Sequence, residues 1–128
     1  MSRNLIVSTF LGCILLACTI EGSAAALTVN SQVLILPPPP ATPTGVTATA
    51  KSSSSILISW TASDGATWYQ VFRSTSSSGP FTKIGGTAGT SLTNTGLSAG
   101  TTYYYEVRAG NTGGVSLRSS PPASATTP

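Results

Sequence analysis

The chain has 128 residues, enough for one domain. Charged residues make up only 7% of it, with six Lys and Arg against three Asp and Glu, and it contains no histidine. This composition disfavours most acid–base, nucleophilic and metal chemistry, because an imidazole is the usual base or ligand at such sites. With Glu21, Asp64 and Glu106 as the only carboxylates, the sequence indicates a protein that is not an enzyme.

The first 26 residues have the pattern of an export signal. Arg3 precedes an uncharged apolar run over residues 5–20, which is shorter than the about 20 residues of a membrane-spanning helix. The small residues at 23–26 are typical of an ordinary signal peptidase site. Alternatively, the segment 15–18 (Leu-Leu-Ala-Cys) resembles the bacterial lipobox, which implies cleavage before Cys18 and diacylation of that cysteine. A retained membrane anchor is the third interpretation.

Both cysteines, Cys13 and Cys18, lie in this segment, so we expect no disulfide in the processed chain. Export without disulfides favours a bacterial source. We therefore predict an exported protein, either freely secreted or held as a lipoprotein at the outer membrane or cell surface. Contact with a membrane is expected only through a lipid on Cys18.

Residues 27–40 form an apolar and proline-rich linker. Pro37–Pro40 have no N–H groups to donate to a ladder, and such a run favours a stiff polyproline helix that rises about 3.1 Å per residue. The linker is therefore predicted to be a spacer that holds residues 41–128 away from their anchor.

From residue 43 onward, short alternating runs are separated by Gly, Ser and Asn clusters, which is typical of an all-β sandwich. No amphipathic helical period occurs there. Pro121 and Pro122 restrict the last run to a sheet edge or a bulge. The pattern predicts a seven-stranded immunoglobulin-like β-sandwich. The seven predicted strands are residues 45–50, 56–60, 68–73, 81–84, 91–95, 103–109 and 116–126.

Three stretches in this order resemble the fibronectin type III domain over residues 41–128. They are Leu57–Trp60, Trp68–Ser74 and Leu97–Ala109. The resemblance implies that Trp60 and Tyr69 are buried, and that Tyr103 is the tyrosine-corner residue whose hydroxyl bonds to the backbone near Leu97. The chain looks especially like bacterial members, which are often appended to secreted polysaccharide-degrading enzymes.

The large side chains expected to point between the two sheets form the predicted core. A domain of this size buries only a little over 60% of its unfolded surface, so these side chains are needed for stability. They are Trp60, Tyr69, Val71, Leu97, Tyr103, Tyr105 and Val107.

An outward-facing set on two neighbouring strands is the candidate contact face, which we define as Trp68, Phe72, Tyr104 and Arg108. Glu106 is expected on the same side. An exposed aromatic cluster beside an arginine could stack on sugar rings or form a protein contact. The alternative interpretation is cross-strand pairing that stiffens the sheet.

The bases of the processed chain are spread over different predicted strands. They are Lys51, Arg73, Lys83, Arg108 and Arg118. We therefore predict no nucleic-acid partner, because a nucleic-acid reader needs clustered bases with interleaved aromatics. No cofactor and no metal is predicted, and a monomer is expected.

Two functions stay open at this point. The first is an exported interaction, adhesion or spacer module of the bacterial cell surface, whose partner is a protein or a polysaccharide. The second is a carbohydrate-associated accessory module, a fragment of a secreted polysaccharide-degrading enzyme.

Overall fold

The computed structural model describes residues 3–9, 14–21, 26–30 and 35–128. The chain divides into two compact units, Met1–Leu36 and Pro37–Pro128. In the first unit, β1 (Arg3–Thr9), β2 (Ile14–Glu21) and β3 (Ala26–Asn30) pair antiparallel in the order β1-β2-β3. Most of the predicted peptidase site lies in residues 22–25, outside the described residues. The export signal and the lipid on Cys18 stay predictions.

The second unit consists of two antiparallel sheets, so the predicted all-β sandwich is confirmed. The smaller sheet has the order β4-β5-β8, and the larger has the order β10-β9-β6-β7, with β11 also pairing with β9. Among the described residues there is no helix long and apolar enough to cross a membrane. The strands are β4 (Thr44–Ser52), β5 (Ser55–Thr61), β6 (Trp68–Ser74), β7 (Thr82–Thr87), β8 (Ser91–Asn94), β9 (Thr102–Asn111), β10 (Gly114–Val115) and β11 (Ala123–Thr126).

The core lies between the two sheets and follows the alternation of the strands. Every second residue of β5, and of β9 up to Ala109, is buried, as expected for strands with one face inward. The rings of Trp60 and Tyr69 pack with centroids 5.3 Å apart, which links the two sheets. All seven residues predicted for the core lie in this cluster. It consists of Ile56, Ile58, Trp60, Tyr69, Val71, Leu97, Tyr103, Tyr105, Val107 and Ala109.

Only residues 123–126 of the last predicted strand, 116–126, form a strand, and the two-residue β10 precedes that interval, so the second unit has eight described strands where seven were expected. Ser116 and Ser119 lie beside β9 but do not form a regular ladder with it. Each donates its N–H to the carbonyl of one β9 residue, Ala109 or Val107, at 2.8 Å. Each accepts the N–H of that same residue on its own hydroxyl at 2.9 Å. Side-chain hydroxyls thus satisfy N–H groups of β9 just before the two prolines, which could not continue the ladder.

The proline run, predicted as part of a spacer, makes contacts within the second unit. The second unit begins at Pro37, so residues 37–40 lie with the sandwich and not with the linker. The buried side chain of Asn111 donates from Nδ2 to the Pro38 carbonyl at 2.8 Å, and Pro40 is buried. A Cβ atom at Gly113 would overlap the carbonyl group of Pro37. The prolines are therefore seated on the turn between β9 and β10.

Candidate contact face

The candidate contact face lies on the outer side of the larger sheet, where β6 and β9 are neighbours. The register pairs Phe72 with Glu106, Trp68 with Gly110, and Tyr104 with Ser74. Trp68 and Tyr104 therefore stand at opposite ends of the paired region. Six strand residues separate them, a distance of about 20 Å at the usual rise per residue. The structure brings the predicted residues to one face, as a stripe and not as one cluster.

Phe72 is not the exposed aromatic that the sequence led us to expect. Its exposed fraction is 9%, although it lies on the outer side of the sheet. The guanidinium carbons of Arg118 and Arg108 lie 4.8 and 5.2 Å from the centroid of its ring. Guanidinium groups stack favourably on aromatic faces, and they cover this ring from solvent. The expectation of a solvent-exposed Phe72 is therefore wrong.

Both arginines over Phe72 have polar partners that orient them. Arg108 donates from Nε to Oε1 of Gln70 at 2.7 Å. The guanidinium of Arg118 lies 3.2 Å from the carboxylate of Glu106, with side-chain exposures of 42% and 16%. A pair as exposed as this contributes little to stability, so its main effect is on the position of Arg118.

Trp68 occupies the end of the face next to the β9–β10 turn. It is half-buried, and its indole lies directly over Gly110, so a Cβ atom at that position would overlap the ring. The Gly110 carbonyl also accepts the N–H of Thr67 at 2.9 Å, just before β6 begins. The absence of a side chain at Gly110 therefore decides where the indole lies.

The distribution of bases also differs from the sequence-based expectation. Lys83 is the cross-strand partner of Phe72, so it projects from the same side of the sheet as Arg108. Arg118 completes the group by stacking on the same phenylalanine. Arg73 is excluded, because it lies on the other side of the sheet, over the Tyr103 ring at 5.3 Å. As expected, the five bases lie on different strands or segments, but three of them meet on one side of the larger sheet.

Sequence reasoning missed this group for two identifiable reasons. Arg118 lies in the irregular segment between β10 and β11, where no alternation assigns a face. Lys83 follows a register shift in the β6–β7 pairing, between Val71 and Phe72, which strand alternation cannot reveal. The sequence predicts a strand over residues 81–84, but it does not predict the register of that strand.

The hydroxyls of the inward-facing tyrosines have structural partners. Tyr103 accepts the N–H of Ser98, the residue after Leu97, at 3.0 Å, and this hydrogen bond holds the pKa of Tyr103 below its usual value. Tyr105 accepts a hydrogen bond from Nδ2 of Asn94 at 3.1 Å, while burial raises its pKa. These hydroxyls tie the segments before β9 to the core.

The two carboxylates of the second unit have separate surroundings. Asp64 is exposed in the turn before β6, whereas Glu106 is paired with Arg118 on the outer side of the larger sheet. Within the described part of the chain, no group of three His, Cys, Asp or Glu side chains is placed to hold a metal ion.

The fibronectin type III domain family matches residues 41–126 of this chain. The chain is 43% identical over 67 residues to a poly(3-hydroxybutyrate) depolymerase of Ralstonia pickettii, and 44% identical over 73 residues to exoglucanase B of Cellulomonas fimi. These matches cover 52% and 55% of this chain but only 12% and 6% of the two enzymes. A solved Fn3-like protein from Clostridium thermocellum is 41% identical with a TM-score of 0.64, covering 70% of this chain and 94% of that one.

Proposed function

The chain belongs to the fibronectin type III domain family, and on that premise we propose that it is an exported, non-catalytic interaction module. The observation that carries this proposal is the outer side of the larger sheet. There Trp68 and Tyr104 remain partly exposed at the two ends, with Arg108 between them. Amphipathic aromatics and arginine are the residue types enriched at binding surfaces.

The chemistry of the side chains supports a contact role over a catalytic one. Glu106 is engaged by Arg118, and Asp64 lies in an exposed turn, so the two carboxylates do not face each other across a cleft. With no histidine in the chain, a serine or threonine nucleophile would have no imidazole to activate it.

A second candidate is an accessory module of a polymer-degrading enzyme. It is favoured by the curated relatives, which are named as a depolymerase and an exoglucanase and of which the chain spans 12% and 6%. A segment that is so small a share of a degrading enzyme fits an appended domain that serves the contact with a polymer. One of these two enzymes is named for a polymer that is not a polysaccharide, so the proposed partner class is extracellular polymers.

Export of the module is part of the proposal and has its own test. Mass spectrometry of the mature protein would show a diacylated Cys18 for a lipoprotein, or a free Leu27 for a secreted protein. Recovery of the intact chain from Met1 in the cytoplasmic fraction would contradict export.

The contact role is tested by sedimentation of the full chain with insoluble cellulose, starch and poly(3-hydroxybutyrate). We expect retention on at least one polymer, and loss of most of it in the Trp68→Ala/Tyr104→Ala double variant. Leu57→Ala is the matched control, because Leu57 is a half-buried apolar residue of the smaller sheet. Equal retention of the double variant, or no binding of the protein to any neutral or acidic polymer, would contradict the proposal.

A further inference from the structure

We propose that the face around Phe72 binds an anionic polysaccharide, one that carries carboxylate or sulfate groups along its chain. The proposal rests on the interaction role given above and adds the chemistry of the partner. It is based on three bases that share the outer side of the larger sheet. They are Lys83, Arg108 and Arg118, which we call the cationic cluster.

The cationic cluster brings together positive charges that are far apart along the sequence. Residues 35–128 contain five bases and two acids, and three of these bases share the outer side of the larger sheet with a single acid, Glu106. Lys83 is exposed, and Arg118 retains 42% of its side-chain exposure despite its ion pair. The face therefore has an excess of two positive charges, and both of these bases can be reached from solvent.

The two arginines are close enough to act on the same bound anion. Each guanidinium carbon lies within 5.2 Å of the Phe72 centroid, so the two carbons are at most about 10 Å apart. That separation is comparable to the screening length of about 8 Å at physiological salt, so their fields overlap around the ring. An anion there would be attracted by both groups and would reduce their mutual repulsion.

The two arginines of the cluster are already oriented before an anion binds. Gln70 fixes the orientation of Arg108, and Glu106 fixes that of Arg118, while both guanidinium groups rest on Phe72. Less side-chain entropy is then lost on binding. A guanidinium also offers paired donors that match carboxylate and sulfate oxygens better than a single ammonium does.

The aromatic residues at the ends of the stripe favour a sugar polymer over an acidic peptide. Trp68 and Tyr104 flank the cluster about 20 Å apart, and partly exposed rings of this kind offer flat surfaces on which sugar rings can stack. A polysaccharide lying along the strands would place anionic groups over the arginines and sugar rings over the two aromatics. Nucleic acid also combines anions with rings, so it is included in the test.

The test is a binding titration of the full chain with polygalacturonate, dextran sulfate, uncharged dextran and single-stranded DNA at low and physiological salt. We expect one or both acidic polysaccharides to bind, more weakly as salt rises, and uncharged dextran not to bind. The arm with carboxylates and the arm with sulfates identify which anion is preferred.

Matched lysine variants connect the binding to this face. Lys83→Gln is expected to lower the affinity about threefold to tenfold, the range that corresponds to the loss of one hydrogen-bonded contact of ordinary strength. Lys51→Gln removes the same charge from an exposed strand position on β4, in the smaller sheet, and should leave the affinity unchanged. Arg108→Lys keeps the charge but loses the paired donors and should also weaken binding.

Three results would overturn the inference. Equal effects of Lys83→Gln and Lys51→Gln would show that only net charge matters, and tighter binding of DNA than of either polysaccharide would assign the face to nucleic acid. Equal binding of uncharged dextran would remove the role of charge while leaving the proposed contact function intact. Failure to bind any soluble or insoluble polymer would contradict both proposals.

Discussion

Tyr105 and Tyr104 are neighbours in β9, yet Tyr105 is fully buried between the sheets, whereas Tyr104 is half-buried on the outer side. Tyr105 has Asn94 as a hydrogen-bond partner. On the outer face, by contrast, Glu106 and Arg108 interact with the long polar side chains of Arg118 and Gln70. One strand thus has a face that supports the fold and a face that is available for contact.

The difference indicates how free energy is distributed over the domain. Inward residues stabilise the domain through burial of apolar area. This burial contributes about 25 cal/mol per Å² to the free energy of unfolding. Outward residues contribute mainly exposed ion pairs and stacking, which are individually weak. Substitutions on the two faces of β9 should therefore separate stability from binding.

The largest effect is expected for Tyr105→Ala. It leaves a cavity between the sheets and removes the partner of the buried Asn94 amide, so it should lower the free energy of unfolding by on the order of 3–5 kcal/mol. Tyr104→Ala, one residue away, should change it by less than about 0.5 kcal/mol. Urea unfolding followed by circular dichroism measures both, and similar losses would mean that the two faces are not distinct.

Asn111→Ala is expected to be next in size, at the inward-facing end of the same strand. The variant loses the bonds from Nδ2 to the carbonyls of Pro38 and Gly65, and the N–H of Gly113 loses its acceptor. The cost should be about 1–3 kcal/mol, together with faster proteolysis of residues 35–40. Thr112→Ala, at an exposed position in the same turn, is the control. Unchanged proteolysis in Asn111→Ala would show that the prolines are held by other contacts.

Gly110→Ala tests the one outward position of β9 that is buried. The added methyl group would overlap the Trp68 ring, and displacing this ring should cost about 1–3 kcal/mol and shift tryptophan emission to longer wavelength. Gly89→Ala is a suitable control, because a Cβ atom there meets only Thr87 Oγ1 at 3.6 Å. An unchanged emission spectrum in Gly110→Ala would contradict the stacking of Trp68 on Gly110.

Glu106→Gln should have a smaller effect on stability than Tyr105→Ala, Asn111→Ala and Gly110→Ala, less than about 1 kcal/mol, because its pair with Arg118 is partly exposed and screened by salt. The difference from the unsubstituted protein should shrink further in 1 M salt. A salt-independent loss as large as that of Asn111→Ala would show that this pair supports the fold.

Much of the fold was predictable from local patterns. The alternation in β5, β6 and β9 assigned Trp60, Tyr69 and Tyr105 to the inward side, because side chains in a strand point to opposite faces with a period of two. The three stretches that resemble fibronectin type III domains fall on these same strands, in the segment that the family matches. Neither argument required knowledge of which strands are neighbours.

The candidate site was predictable only in part. Alternation placed Trp68, Phe72, Tyr104 and Arg108 on one side, but it could not show that Phe72 is covered by arginines. Burial of an outward residue depends on long side chains from other parts of the chain that cover it. For Phe72, one of these side chains is that of Arg118. Long aliphatic stems with charged ends can cover an apolar surface from several positions, and no local pattern specifies which one they choose.

By itself, the sequence determined the all-β character, the inward set of aromatics and the scarcity of catalytic groups, because each follows from residue types and a period of two along one strand. Only the tertiary structure decided that Lys83, Arg108 and Arg118 meet around Phe72 and that Pro37–Pro40 rest on the β9–β10 turn. Both outcomes depend on strand register and on irregular segments that bring distant residues together. A shift of one residue in register would have moved Lys83 to the other side of the sheet.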